Sequence, residues 1–142
     1  MPEPLLKLPQ SDRTLLLRSD YSDQSGWAEF CRLVEAPYEE GFRAYVTFVD
    51  DTLLAGMTLA ELMAVAESGG YQSFFFVADR KAIQSSEHPV LAVDLHETRG
   101  STFRVIPAQM WAVENNLSLA NMEFSTFAAH ADPDGVVRGF KD

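Results

Sequence analysis

The apolar run Phe74-Phe75-Phe76-Val77-Ala78 constrains the fold of this chain more than any other segment. It is preceded by Gly69-Gly70, a pair that ends helices, and followed by Asp79, a residue type that favours turns and helix caps. A strand that is apolar on both faces belongs in the middle of a sheet. The run therefore predicts a central strand in a sheet that is covered on both sides.

The segments before this run alternate between strand and helix patterns. Thr14–Arg18 and Phe42–Val49 are predicted strands, and the second is rich in aromatic and β-branched residues. Between them, a stripe of apolar residues with helical spacing runs to Glu35. Thr58 and Glu61 form a capping box that begins a second predicted helix. This β-α-β-α-β order predicts parallel strands joined by right-handed helical crossovers.

The segments after the run predict an antiparallel hairpin followed by helices. Val90–His96 alternates in polarity, and a five-residue link containing Gly100 joins it to Thr102–Ile106. A helix is expected from Pro107 to about Asn116, since proline is tolerated in the first turn of a helix. A last short helix and a tail that packs back on the body are marked by Phe124, Phe127, Ala128, Ala131, Val136, Val137 and Phe140.

Together these patterns predict one α/β domain of three layers. Its mixed sheet combines a parallel half with the antiparallel hairpin and is closed by C-terminal helices. The chain of 142 residues, of which 46% are hydrophobic, is long enough to bury a core without disulfides or metals. Residues 14–142 are expected to form the domain, and residues 1–13, with three prolines, an extended arm. We expect the hairpin to supply an exposed edge for homodimerisation.

Charge and cysteine content limit the partners and the compartment. The net charge of −10 argues against binding to nucleic acid or to anionic membrane surfaces. It favours a basic protein partner, although solubility alone explains it equally well. The N-terminal sequence does not resemble a signal peptide, and no apolar run approaches the ~20 residues that span a bilayer. The single cysteine, Cys31, forms no intramolecular disulfide and is expected as a packed thiol. We therefore expect a cytoplasmic protein with no evident cofactor.

Aspartates follow each of the first three predicted strands. They are Asp20, the pair Asp50 and Asp51, and Asp79. Because the carboxyl ends of parallel strands lie on one edge of a sheet, where ligands bind, these side chains are candidate ligands of Mg²⁺. Aspartate in this position also caps turns and helices, which is its commoner role.

A second candidate site lies on the hairpin. Asp94 and His96 stand two residues apart on one face of the predicted strand, and such a pair can orient a general base or bind a metal. If the five-residue link sets the register of the hairpin, Asp94 faces Arg104 and His96 faces Thr102. An Asp–Arg pair that merely stabilises the sheet is the alternative interpretation.

The third candidate is the segment from Trp111 to Met122. It places Glu114, Asn115 and Asn116 close together among large apolar residues. Amide groups in apolar surroundings must bond either to the backbone or to a ligand. Bracing of an irregular connection between two helices and contact with a ligand are the two interpretations.

Four segments carry a resemblance to a known family: TLLLRSDYSD (14–23), FRAYVTFVDD (42–51), HPVLAVDLHETRGSTFRVIPAQMWAVENNLSLANMEF (88–124) and DGVVRGF (134–140). They resemble a family of small actinobacterial proteins known as a domain of unknown function, and the third segment is quite specific. The resemblance covers most of residues 14–140. It implies a standalone cytoplasmic protein, and it supplies no activity, cofactor or site residue.

Three functions from different classes remain open. The first is a binding or interaction protein without catalytic activity, which small size, acidity and the lack of a catalytic motif favour. The second is a metal-dependent hydrolase or phosphoryl-transfer enzyme that uses Asp50, Asp51 and Asp79 as ligands. The third is a small-molecule binder whose pocket lies in the segment 111–122.

Overall fold

The computed structural model describes Leu8, residues 13–38 and residues 41–139. Most of the expected N-terminal arm, and Phe140 of the expected tail, lie outside the described residues. The elements are β1 (Thr14–Arg18), α1 (Gln24–Glu35), β2 (Val46–Val49), a 3-10 helix (Thr52–Leu54), α2 (Leu59–Ser68), β3 (Phe74–Ala78), α3 (Arg80–Gln84), β4 (Val90–Asp94), β5 (Thr102–Val105), α4 (Pro107–Ser118), α5 (Phe124–Ala129) and β6 (Val136–Val137). None of the described helices has the length and apolar character needed to cross a membrane.

The six described strands form one mixed sheet in the order β2-β1-β3-β4-β5-β6. β2 and β3 run parallel to β1 on either side of it, with Leu16 opposite Phe48 and Phe76. β4 is antiparallel to both β3 and β5, and β6 lies parallel to β5. The predicted α/β fold, with a parallel half and an antiparallel hairpin, is confirmed.

Side chains that alternate along the strands build a core on each face of the sheet. On one face, Leu16 and Phe76 pack with α1, α3, α4 and α5. On the other face, Leu17 and Phe75 pack with α2 and the 3-10 helix. Every residue of β3 is buried, as expected for a central strand, because helices cover the sheet on both sides.

α1 begins at an aspartate cap and buries one stripe of side chains. The Asp23 carboxylate accepts the backbone N–H of Gly26 at 2.9 Å. The buried stripe consists of Trp27, Phe30 and Val34. Cys31 packs beside it, as the sequence predicts, and burial is the main cause that raises the pKa of its thiol to about 12.

β2 is shorter than the sequence predicts. The predicted strand begins at Phe42, whereas the observed one begins at Val46. The Phe42 ring stacks on Trp111 with 5.1 Å between the ring centroids. The backbone N–H of Tyr45 donates to the Glu114 carboxylate at 2.8 Å instead of to a neighbouring strand. These contacts hold the segment before β2 against α4, away from the sheet.

The register of the hairpin also differs from the predicted one. Asp94 does not face Arg104, because Arg104 pairs with Leu91. His96 does not face Thr102, because β4 ends at Asp94. The predicted register was therefore wrong, although the hairpin itself is present.

Asp94 ends β4 by bonding to the chain that follows it. Its carboxylate accepts the backbone N–H groups of His96, Glu97 and Thr98 at 2.9, 3.1 and 2.6 Å. Its carbonyl accepts the N–H of Gly100 at 2.8 Å. A carboxylate that collects three N–H groups in this way curls the chain into a turn, so the strand cannot continue to His96.

The sequence did not predict α3 or β6. Asp79 caps α3 by accepting the backbone N–H of Ala82 at 3.1 Å. Val136 and Val137 pack back on the body, as expected, and they also pair with β5 to form β6. The expectation that the hairpin supplies an exposed edge is therefore wrong. The edges of the described sheet are β2 and β6.

Candidate functional site

The carboxyl ends of β1, β2 and β3 lie along one edge of the sheet, where the sequence predicts a cluster of aspartates. Asp50 accepts a hydrogen bond from Arg18 Nη1 at 3.3 Å. Asp51 accepts the backbone N–H of Leu53 at 2.9 Å and caps the 3-10 helix. Both carboxylates therefore have structural roles at the end of β2.

Arg18 is the last residue of β1 and fills this end of the sheet. It is 2% exposed and lies between the rings of Tyr21 and Trp27, with 4.0 and 4.7 Å from its guanidinium carbon to the ring centroids. Its Nε donates to the carbonyl of Asp20 at 3.0 Å and its Nη2 to Gln24 at 3.2 Å. With Asp50 as its third acceptor, this buried guanidinium is well satisfied.

The remaining strand-end aspartates also bind neighbouring side chains. Asp79 receives two bonds from Arg104, at 3.0 and 2.6 Å, so the partner of Arg104 is Asp79 and not Asp94. Asp20 accepts the hydroxyl of Ser22 at 2.7 Å. In the described part of the chain, no group of three or more His, Cys, Asp or Glu side chains is arranged to hold a metal. Metal binding at this edge stays a prediction, which a calorimetric titration with Mg²⁺ tests.

A cavity of about 500 Å³ opens at the other end of the strands, away from these aspartates, where β4 ends and α4 is followed by α5. Buried side chains of Phe74, Asp94 and Phe124 line its interior, and the half-buried Leu117 and Met122 extend the apolar wall. The exposed residues of its lining include Tyr71, His96, Glu97 and Glu123. We call this cavity the β4-end pocket.

Two residues that the sequence indicates, Asp94 and His96, line this pocket. The N–H bonds to Asp94 determine the path of the loop after β4, and this loop carries His96 and Glu97 to the pocket mouth. His96 Nδ1 lies 3.4 Å from the hydroxyl of Tyr71. Arg104, the third residue of the predicted hairpin site, lies at the other edge with Asp79 and is not part of the pocket.

Two further carboxylates at the pocket mouth were missed by the sequence reasoning. Glu97 accepts the backbone N–H and the hydroxyl of Ser125 at 3.1 and 2.7 Å, near the start of α5. Glu123 directly precedes α5 and makes no side-chain capping bond. Since negative charge is favoured at a helix N-terminus, Glu123 just before a predicted helix was an available signal.

The polar residues of α4 mainly support the fold. Glu114 is buried and accepts the N–H of Tyr45 at 2.8 Å and the hydroxyl of Ser118 at 2.5 Å. Asn116 donates to the carbonyl of Ala112 at 2.8 Å. For these two side chains the observed bonds are of the bracing kind.

Trp111 and Asn115 have different surroundings. Trp111 stacks on Phe42, as described above. The exposed Asn115 lines a second cavity of about 440 Å³ together with Glu114. This cavity shares Ser118 with the β4-end pocket. A ligand role for Asn115 therefore stays a prediction, and its place is next to the larger pocket.

The β4-end pocket combines negative charge with an apolar wall. Its described lining contains three carboxylates, Asp94, Glu97 and Glu123, and neither lysine nor arginine. Such a site favours a ligand in which a positive charge is attached to an apolar group. The exposed ring of Tyr71 adds a face on which a cation can rest.

Comparison with known proteins identifies the family to which the chain belongs, but it assigns no activity. No curated protein matches the sequence. A family model described as a domain of unknown function, DUF6924, matches residues 13–140. The matched range includes every strand and helix from β1 to β6, and both edges of the sheet. This chain therefore belongs to the DUF6924 family of domains of unknown function.

Proposed function

We propose that this is a binding protein whose β4-end pocket takes a cationic group attached to an apolar one. One observation supports the proposal above all others. A cavity of about 500 Å³ joins three carboxylates to an apolar wall, and its described lining contains no lysine or arginine. An ammonium or guanidinium group next to a ring or an alkyl chain matches both halves of that lining.

In this proposal the pocket side chains have separate roles. Glu123, whose carboxylate makes no capping bond, pairs with the cation. Glu97, bound to Ser125, adds a negative charge of fixed position. Phe124 and Met122 contact the apolar part of the ligand, and binding alone requires no catalytic group.

The charge of the whole chain supports the same ligand class. A net charge of −10 attracts cations over distances of about a Debye length and repels anions. The required chemistry occurs both in free amines and in the lysine or arginine side chains of a basic partner protein. A side chain of a partner protein is attached to a peptide backbone and a free amine is not. An experiment that compares the two kinds of ligand therefore separates the two sources.

Calorimetric titration with three probes of similar size tests the ligand class. Phenethylamine carries the positive charge, phenylethanol is neutral and phenylpropionate is negative. We expect the amine to bind most tightly and the acid not to bind. We also expect added salt to weaken the binding of the amine. A peptide with arginine beside phenylalanine forms the second arm, and tighter binding of the peptide than of the free amine indicates a protein partner.

The substitution Glu123→Gln locates the binding site. It removes one exposed charge and keeps the shape of the side chain, so we expect amine binding to weaken about twofold to fivefold. Glu35→Gln, the same change on an exposed residue of α1, is the matched control and leaves binding unchanged. Equal binding of amine and acid, or equal effects of the two substitutions, contradicts the proposal.

A further inference from the structure

Exposed apolar side chains gather around the β4-end pocket and the second cavity beside it. Five large hydrophobic side chains are exposed among the described residues, and three of them line these two cavities. Tyr71 (78% exposed) lines the β4-end pocket, and Leu119 (63%) and Tyr45 (56%) line the second cavity. Exposed apolar side chains grouped in this way are typical of a surface that binds another protein.

The two cavities meet at the last turn of α4. Ser118, the last residue of the helix, lines both of them. Leu117 belongs to the lining of the β4-end pocket, and Leu119 belongs to that of the second cavity. The cavities measure about 500 and 440 Å³, so an amine of the size of phenethylamine that fills the first leaves the second empty. A ligand that uses both must be longer and must carry a separate group for each.

The second cavity offers an amide and an apolar surface. The exposed side chain of Asn115 makes no hydrogen bond within the described part of the chain, and an amide both donates to and accepts from a peptide group. Arg13 also lines this cavity, and its guanidinium carbon lies 5.5 Å from the centroid of the Tyr45 ring. The positive charge of Arg13 disfavours a second cation here, so the group that fits beside Leu119 is uncharged and apolar.

We propose that the two cavities form one docking groove for an extended segment of a basic partner protein. A lysine or arginine of the segment enters the β4-end pocket, and an apolar side chain enters the second cavity. This inference rests on the proposed function, since the cation uses the same pocket. Alternate side chains of an extended chain point to the same side, so residues i and i+2 of the segment reach the two cavities. The peptide groups between them pass Ser118 and pair with Asn115.

Charge complementarity favours this occupant over a second copy of the chain. The described lining of the β4-end pocket has three carboxylates and neither lysine nor arginine. A second copy carries the same net charge of −10 and is repelled, whereas a basic partner is attracted. The second cavity and its exposed Leu119 favour a peptide segment over a free amine, because only the segment has a side chain to place there.

Calorimetric titration of the full chain with blocked peptides tests the groove. The parent peptide has five residues, with arginine and leucine two positions apart and alanine elsewhere. One matched peptide replaces the leucine by serine, and another replaces the arginine by the neutral citrulline. We expect the parent to bind about fivefold or more tightly than the serine peptide, because the leucine buries apolar surface. We expect the citrulline peptide to bind more weakly than the parent, and phenethylamine to bind more weakly than the parent as well.

Leu119→Ser separates the second cavity from the cation pocket. Because Leu119 lines only the second cavity, we expect the variant to bind the leucine and serine peptides equally and to bind phenethylamine as the wild type does. Leu53→Ser is the matched control. It changes an exposed leucine of the 3-10 helix that lines neither cavity, and it keeps the preference for leucine.

Asn115→Ala provides a second variant, which decides the matter if Leu119→Ser fails to fold. Alanine favours the helix, and we expect the variant to bind the parent peptide about twofold to fivefold more weakly, with phenethylamine unchanged. Equal binding of the leucine and serine peptides to the wild type, or phenethylamine that binds more tightly than the parent, overturns the groove and leaves the cation pocket standing. A leucine preference that survives both variants also overturns it. Absence of binding by every cationic probe overturns the proposed function together with this inference.

Discussion

Asp79 combines two structural roles in one carboxylate. It caps α3 through the N–H of Ala82, and it receives two hydrogen bonds from Arg104. Arg104 also donates to the carbonyl of Pro89 at 2.9 Å. One arginine on β5 therefore connects the end of β3 with the start of β4, and the pair acts as a clamp across three neighbouring strands.

Substitutions of Asp79 separate its cap from its ion pair. Asparagine caps helices as well as aspartate does but carries no charge, whereas alanine removes both functions. We expect Asp79→Asn to lower the free energy of unfolding by about 1.5–3 kcal/mol, the range for a hydrogen bond to a charged group. Asp79→Ala should cost about 1 kcal/mol more, the value of a cap. Urea unfolding measures both, and equal losses would show that the cap contributes nothing.

Cys31 packs against the core on the face of the sheet that α1, α3, α4 and α5 cover. Its pKa of about 12 keeps the thiol protonated at mildly alkaline pH. The thiolate is the form that reacts with alkylating reagents. Its fraction is about a thousandfold smaller than for a thiol with the ordinary pKa of 9.0, since each unit of pKa is a factor of ten. We expect iodoacetamide to label the folded protein very slowly and the urea-unfolded chain at the ordinary rate. Equal rates in the two states would contradict the packed thiol.

At the scale of elements, the long periodic segments were predictable, whereas the start of β2 and the register of the hairpin were not. The helix stripe to Glu35, the capping box at Thr58 and the apolar run at Phe74 each contain their own signal. The start of β2 and the hairpin register depend instead on bonds to distant residues or to the following loop. Tyr45 bonds the distant Glu114, and this contact has no local pattern. Asp94 bonds the loop directly after it, a local turn that the alternating polarity of Val90–His96 does not indicate.

The capping box makes α2 sensitive to acid. Glu61 accepts the N–H of Thr58 at 3.0 Å, and Thr58 accepts the N–H of Glu61 at 3.2 Å. The backbone bond from Thr58 is the largest cause that lowers the pKa of Glu61 below its ordinary 4.5. Because the folded pKa is the lower one, this stabilisation is present above 4.5 and is lost as pH falls through the folded pKa.

Glu61→Gln tests this pH dependence. Glutamine also completes a capping box, but it does not titrate. We expect the free energy of unfolding of the wild type to fall more steeply with decreasing pH below about 4.5 than that of the variant. Denaturant unfolding at a series of pH values measures the two slopes. Parallel curves would mean that Glu61 does not contribute to acid sensitivity.

At the scale of the whole molecule, the two ends of the parallel strands differ in how their carboxylates are neutralised. At the carboxyl ends of the parallel strands, arginines already bind the aspartates, with Arg18 on Asp50 and Arg104 on Asp79. At the opposite edge, carboxylates surround an open cavity whose described lining has no such arginine. The proposed ligand site therefore lies away from the edge that parallel α/β sheets commonly use.

The candidate site was only partly predictable. Asp94 and His96 stand out in the sequence because they are close together in it. Tyr71, Glu97 and Glu123 come from three different connections and meet only after β3 pairs with β4 and α5 packs on the sheet. No spacing rule links residues that are brought together by tertiary contacts alone.

By itself, the sequence determined the class of the fold, because burial and helix capping are encoded locally in apolar periodicity and in cap residues. It also determined the buried central strand and the packed state of Cys31. Only the tertiary structure decided which charges pair, where β2 begins and how the hairpin is aligned. A side chain's partners depend on which elements become neighbours, and that choice minimises the free energy of the whole chain rather than of any one segment.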